Sequence, residues 1–271
     1  MKLFSYEHVE IDHLLGQFSN MSQSYKKCFL SYVDLLGFKK MVQEQEDASD
    51  IVSMLESRFN EISMLSGSSR IDSKMRAILI SDTFLLYTED DSLESFQQLI
   101  AASAHFVSMS ITNCMGSKLE KDSTETLSFA RLSTLFRGAI SYGDFYADEK
   151  TRIFFGKSYN DAHDWEKKLE WIGIMLTPNC SDFVKSKGWQ KYKHFLVEYD
   201  VPIKKTIYKE DGTHKIERSI KKSLCVNWTK DFLDDLIKIN PTFYERAEQK
   251  YREKYKNTYD FIIFCEEINK S

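Results

Sequence analysis

The chain has 271 residues, room for one large domain or two small ones. Hydrophobic residues make up 42 % and charged residues 29 %, the proportions of a globular protein with a core, and only 3 prolines and 10 glycines argue against a long disordered linker. A formal charge of −4 argues against broad nucleic-acid binding, though it leaves room for a local basic patch.

Residues 1–24 read as a short leading helix and a polar turn. Residues 28–34, CFLSYVD, are apolar, β-branched or aromatic and end in an acid, which predicts a buried strand. Gly37 then serves as a turn. Met41, Val42, Ile51, Met54, Leu55, Phe59 and Ile62 recur at helical spacing over 39–65, and GSSR at 67–70 breaks that helix. Strands at 75–81 and 83–88 pinch around Ser81-Asp82, a tight hairpin with an acid at its tip. A helix is expected over 91–114 and a polar loop over 116–130. Strands follow at 135–143 and 152–156, a helix at 158–171, and a strand at 171–177 closed by Pro178. The order β-α-β-β-α-β with β-α-β appended predicts an α+β fold built on a ferredoxin-like palm. Beyond about residue 190, two strands around a charged turn at 210–212 and a helix over about 240–265 are expected.

The cysteines, Cys28, Cys114, Cys180, Cys225 and Cys265, are odd in number and scattered. They form no CxxC pair and fit a reduced cytoplasmic protein in which cysteine acts as a small apolar residue. The first residues carry acids and histidines and lack the apolar run of a signal peptide. No stretch approaches the roughly 18 apolar residues of a membrane helix. A cytoplasmic location without a membrane partner is expected.

Asp34 ends a buried strand and Asp82 sits at a hairpin tip. In a βαββ palm the first strand and the central hairpin lie side by side, so the two carboxylates can face each other. Two acids that close resist ionising unless a cation sits between them. Mg²⁺ or Mn²⁺ prefers such oxygen ligands, and a two-metal pair roughly 4 Å apart activates a hydroxyl and steadies a leaving pyrophosphate. Either acid alone also reads as a turn residue or helix cap.

The surroundings carry a resemblance. YVDLLGF (32–38) resembles the F-x-D-I-x-G-F strand of class III adenylate and guanylate cyclases, and ISDTFLL (80–86) their second metal-binding hairpin. LFRGAISYGDFY (135–146) is similar to the R-x-G-I-x-x-G strand of that family. FGKSYNDAHDWE (155–166) is similar to its W-G-x-x-V-N-x-A-x-R-x-E segment, with Gly156, Asn160, Ala162 and Glu166 in place. The likeness spans about 28–177. It implies a cyclase-like catalytic domain over 1–190, with 191–271 as a C-terminal α/β extension packed on it. It also implies a homodimer whose sites lie at the subunit interface, and cyclisation of a nucleoside triphosphate with release of pyrophosphate. Asp34 and Asp82 would bind two Mn²⁺ or Mg²⁺ ions, with the Leu35 carbonyl as a further ligand. Asn160 would reach over from the partner and orient the ribose.

The departures narrow the substrate. The family's transition-state arginine falls at Asp164, and an acid cannot replace a guanidinium at a phosphate. Arg76, Arg137, Lys167 and Lys168 are the candidate replacements. Ile78 and Ile153 stand where the family reads a purine edge with polar groups. With R-G-A-I-S-x-G, YDVPIK (199–204) and CVNW (225–228), the chain is similar to the bacterial Pycsar cyclases. That resemblance implies a pyrimidine substrate (UTP or CTP), manganese, an antiphage role and a separate effector activated by the cyclic UMP or cyclic CMP produced. Phe29 and Arg76 are then expected to contact the nucleotide, together with Ile78, Arg137 and Asn160. Two other readings compete: a degenerate cyclase fold that binds a nucleotide or protein without turnover, favoured by Asp164, and a palm polymerase or diguanylate synthase, which the Asn160 segment disfavours.

Overall fold

A computed structural model describes residues 25–44, 48–65, 74–119, 135–208, 212–230, 249 and 251–270. The leading helix expected before residue 25, the break at 67–70, most of the loop at 116–130, most of the turn at 210–212 and the segment from 240 to 248 lie outside them.

The chain is α+β, with helices packed on a mixed eight-stranded sheet. Strand β1 (Tyr25–Leu36) is followed by α1 (Phe38–Glu44) and α2 (Ala48–Leu65). The hairpin β2 (Met75–Ile80) and β3 (Thr83–Thr88) leads into α3 (Leu93–Leu119) and β4 (Leu135–Asp148). These four strands lie in the order β2-β3-β1-β4, all antiparallel, which is the palm expected from the element order. Then come β5 (Ile153–Gly156), α4 (Lys157–Glu166), β6 (Gly173–Leu176) and α5 (Pro178–Ser186). Strand β6 runs parallel to β4 and carries the sheet on to the hairpin β7 (Leu196–Tyr208) and β8 (His214–Val226). Helix α6 (Arg252–Lys270) ends the described chain.

Strand alternation divides the core. On β1, Phe29, Val33 and Leu35 enter the large cluster that holds Phe96, Leu99, Phe106 and Val107 of α3. Cys28, Leu30 and Tyr32 enter a smaller cluster on the other face, with Leu85, Tyr87, Phe145 and Ala162 of α4. Both faces of β1 are therefore covered, which explains its unbroken apolar run. Gly138 lets β4 close on β1: a Cβ there would lie 2.5 Å from the Tyr32 carbonyl oxygen.

Three expectations need correction. The helix expected over 158–171 ends at Glu166, where Lys168 N–H bonds the Trp165 carbonyl at 3.0 Å and Leu169 N–H that of Glu166 at 3.1 Å. These three-residue bonds tighten the last turn and release the chain. Pro178 not only closes a strand but opens α5, since its fixed φ suits the first helical turn. Helix α3 continues to Leu119, into residues expected as loop.

Helix α6 is pinned to the start of β6. Ile172 N–H donates to Thr258 Oγ1 at 2.8 Å, and Asn257 Nδ2 to the Glu170 carbonyl at 2.7 Å. Phe261, Ile262 and Cys265 fill the core beneath it. No described helix is long and apolar enough to cross a membrane.

Candidate active site

Asp34 is the last but two of β1 and lies on the face of Leu30 and Tyr32, opposite Thr83 of β3 and Arg137 of β4. Asp82 is in the two-residue turn between β2 and β3. Its carbonyl oxygen accepts the Leu35 N–H at 3.1 Å, which ties the hairpin tip to the chain just after Asp34. Ser81, the other turn residue, has φ +58°, in the left-handed region that primed hairpin turns require. Sheet pairing thus brings the two acids together from positions 48 apart.

The charge around Asp34 is poorly balanced. Thr83 Oγ1 donates to Asp34 Oδ1 at 3.3 Å and also lies 3.3 Å from the Tyr32 hydroxyl. Burial, then the carboxylates of Glu166 and Asp82, push Asp34 up from an ordinary 3.8 to about 7, against the opposing pull of Arg137 and Thr83. Arg137 helps little because it is already bonded. Its Nε donates to Glu166 Oε1 at 2.6 Å, and its Nη1 donates to the Leu169 carbonyl at 2.9 Å. This pair is almost fully enclosed, Arg137 at 7 % exposure and Glu166 at 2 %.

Two hard carboxylates with an incomplete protein shell suit Mg²⁺ or Mn²⁺, ions that keep water and phosphate oxygens as further ligands. Among the described residues no group of three or more His, Cys, Asp or Glu side chains gathers as metal ligands. Asp34 and Asp82 are the pair that would hold such an ion.

The other expected site residues fall elsewhere. Phe29 is a correction: it is fully buried, with its ring against Phe96 at 4.6 Å, Tyr142 at 5.0 Å and Phe183 at 5.9 Å. It also sits on the opposite face of β1 from Asp34 and offers a nucleotide no surface. Arg137 is a second correction, since its guanidinium is consumed by Glu166 and the Leu169 carbonyl. Arg76 is not brought to the acids. It lies four residues before the end of β2, about 13 Å along the strand, and its Nε bonds Glu89 Oε1 at 2.6 Å. Beside it, Tyr87 donates to Glu149 at 2.8 Å. Ile78 packs on the smaller core cluster in the same neighbourhood, while Ile153 is exposed.

Asn160 and Asp164 lie on the outer face of α4, whose inner stripe is Ser158, Ala162 and Glu166. Asn160 is exposed and does not meet Asp34 of its own chain. Thr83 and the Arg137–Glu166 pair were not foreseen as surroundings of Asp34, though Thr83 follows Asp82 directly and Glu166 stands three turns into the Asn160 helix.

A cavity of about 120 Å³ opens where β1 ends, lined by Leu36, Gly37, Leu135, Ile172, Tyr251, Lys254 and Tyr255. Burial, then Arg137 and Lys204, push the Lys254 amine down to about 8, against the opposing pull of Glu170 and Glu166. Lys204 itself bonds Glu170 at 3.0 Å.

No family model and no curated protein matches the sequence. Two guanylyl cyclase structures are among the solved structures similar in shape. One is the catalytic core of a rhodopsin-guanylyl cyclase with converted specificity in complex with ATPαS, matched over 75 % of this chain and 96 % of that one at 12 % identity and a TM-score of 0.48. The other is the guanylyl cyclase Cya2, matched over 74 % of this chain and 91 % of that one at 11 % identity and a TM-score of 0.45. What this chain does has to be read from its own residues.

Proposed function

We propose that the chain is a metal-dependent nucleotidyl cyclase that converts a pyrimidine ribonucleoside triphosphate, UTP or CTP, to a 3′,5′-cyclic monophosphate and pyrophosphate. The observation that carries this reading is the pairing of Asp34 with Asp82 at the joint of β1 and the β2–β3 hairpin, where burial and the neighbouring carboxylates push Asp34 up to about 7. When bound there, Mn²⁺ or Mg²⁺ lowers the pKa of a hydroxyl and offsets charge on a leaving phosphate. Asp34 and Asp82 hold it; Thr83 orients Asp34 through its hydrogen bond; Arg137 and Glu166 fix the wall behind.

The pyrimidine substrate rests on the apolar side chains at Ile78 and Ile153. A site without polar groups there does not read a purine edge, and specificity is lost where hydrogen-bonding groups are absent. Asn160 is the ribose-orienting residue from a partner subunit, since it faces outward on α4. The product acts as a second messenger on a separate effector in defence against phage, on the strength of the sequence resemblance, and the expected location is the cytoplasm.

The test is incubation of the purified protein with Mn²⁺ and each of the four ribonucleoside triphosphates, alone and with phage lysate. Products are identified by mass spectrometry. A cyclic pyrimidine monophosphate that disappears in Asp34→Ala and Asp82→Ala supports the reading. A cyclic purine product refutes the specificity alone. No product in any arm returns the chain to a nucleotide-binding module, the reading that Asp164 favours.

A further inference from the structure

Position 164 brings no cation to the acids: Asp164 is exposed on the outer face of α4, Arg137 is tied to Glu166, Lys167 is exposed just past the helix, and Lys168 lies over the Trp165 ring at 4.3 Å. Yet a reaction that expels pyrophosphate leaves negative charge that a positive group must meet. The cavity at the end of β1 contains one, Lys254. Leu36 lies two residues beyond Asp34 at the end of β1, about 7 Å along the strand, and packs there on the large core cluster with Leu135. Leu135 pairs with Leu36 just as Arg137 pairs with Asp34. These residues and Gly37 form one wall, and Tyr251, Lys254 and Tyr255 form the other. The spacing of the last three places them on one face of the start of α6.

Lys254 differs from its cationic neighbours. Arg137 is bonded to Glu166 and Lys204 to Glu170, so both charges are matched. Among the described residues no carboxylate forms an ion pair with the largely buried Lys254 amine; Glu170 and Glu166 attract it from farther off, and each is already paired, with Lys204 and Arg137. An unmatched cation lining a cavity is costly to the folded chain alone, and an anion in that cavity offsets the cost. The position is not an accident of a loose terminus. Thr258, one turn on, bonds both the Lys254 carbonyl at 2.7 Å and the Ile172 N–H at 2.8 Å, which fixes this turn of α6 against β6.

We propose that Lys254 contacts the departing phosphates of the substrate, so that the C-terminal helix of the same chain supplies the positive charge missing at position 164. The inference rests on the cyclase reading and adds a residue to it. In the step concerned, the 3′-oxygen forms a bond to the α-phosphorus and its proton passes to water. The bond from that phosphorus to the bridging oxygen of the β-phosphate breaks, and its electron pair leaves with pyrophosphate. Lys254 faces that oxygen's new charge and stays protonated throughout.

Binding of inorganic pyrophosphate in the presence of Mg²⁺ is measured by calorimetry on the full chain, next to pyrophosphate release from each ribonucleoside triphosphate. Lys254→Met is expected to weaken pyrophosphate binding about tenfold to a hundredfold, the loss of one charge-assisted hydrogen bond. Lys254→Arg is expected to keep most of it. Thermal midpoints of both variants should equal or exceed the wild type, because an unmatched charge is removed or kept. Pyrophosphate binding by Lys254→Met within about twofold of wild type overturns the proposal, and so does a fall in its midpoint, which makes Lys254 structural. Absence of cyclic product from the wild type refutes the cyclase reading and leaves the calorimetric comparison to show whether the cavity binds phosphate at all.

Discussion

Asp34 and Glu166 are both carboxylates on the α4 side of the sheet, and they are treated in opposite ways. Glu166 is the more deeply buried, yet it meets the Arg137 guanidinium at 2.6 Å. Asp34 is half-buried and receives only a 3.3 Å hydrogen bond from Thr83, while two further acids repel its charge. A fold that only needed to neutralise its interior would have paired both. One pair closes the wall; the other acid is left in want of a positive charge from outside the chain. Balanced charge marks architecture here, and unbalanced charge marks the place where the proposed metal would sit.

The largest effect expected from breaking this contrast is on turnover. Asp34→Ala or Asp82→Ala is expected to lower metal-dependent pyrophosphate release by roughly a thousandfold, since metal-borne charge stabilisation is worth several kcal/mol. Neither variant should unfold, because neither acid has a cation to strand. A coupled assay for pyrophosphate, read beside circular dichroism, checks both statements. Turnover that survives in both variants would remove the acids from the site.

The matched pair should behave in the reverse way. Arg137→Met leaves Glu166 buried without its partner and is expected to cost about 3–5 kcal/mol of stability. Arg137→Met with Glu166→Leu removes both charges and should recover most of that loss. Urea denaturation of the two variants, with slopes compared, measures the recovery. If the double variant is no better than the single one, the guanidinium's bond to the Leu169 carbonyl matters more than the ion pair.

Asp34 also gives a pH dependence whose sign differs from the usual one for an aspartate. Its pKa rises from an ordinary 3.8 to about 7 on folding. Below pH 3.8 the group is protonated in both states and adds no penalty. Between about 4 and 7 the unfolded chain gives up the proton and the folded one keeps it, so stability falls as pH rises. The full penalty, on the order of 2 kcal/mol after allowance for partial exposure, is present above pH 7. Asp34→Asn should flatten this slope and raise the midpoint at pH 8, and Mn²⁺ should raise the wild-type midpoint there without affecting Asp34→Asn to the same degree. A slope that persists in Asp34→Asn assigns it to another group.

How far the site was legible follows from which contacts are local and which are not. The strand that carries Asp34 and the hairpin tip at Asp82 are readable because an unbroken apolar run and a two-residue turn are local signals, although the strand runs on to Leu36. The palm order followed from the succession of elements. Phe29 was misread although the sequence held the answer: it is five residues from Asp34, an odd number, so a strand turns the two to opposite faces. Arg76 and Asp82 are six apart, but a turn intervenes, and the parity rule stops where the strand stops. The engagement of Arg137 with Glu166 joins a strand to a helix 29 residues on and needs tertiary structure to be seen. Lys254 is more remote still, on a helix whose packing against β6 no motif announces.

The smallest effect concerns the turn that delivers Asp82. Ser81 holds φ +58°, a region that costs a side-chain-bearing residue about 1 kcal/mol. Ser81→Gly removes that strain but frees the unfolded chain, so a net gain of about 0.5 kcal/mol is expected, or roughly 1–2 °C in Tm for a chain of this size. The Asp82 carbonyl should still accept the Leu35 N–H, because that bond belongs to the backbone of the hairpin and not to the serine. Turnover should therefore be unchanged. If Ser81→Gly stabilises the chain and yet lowers turnover, the serine hydroxyl takes part in the site, and the unbalanced region extends from the two acids to the whole tip of the hairpin.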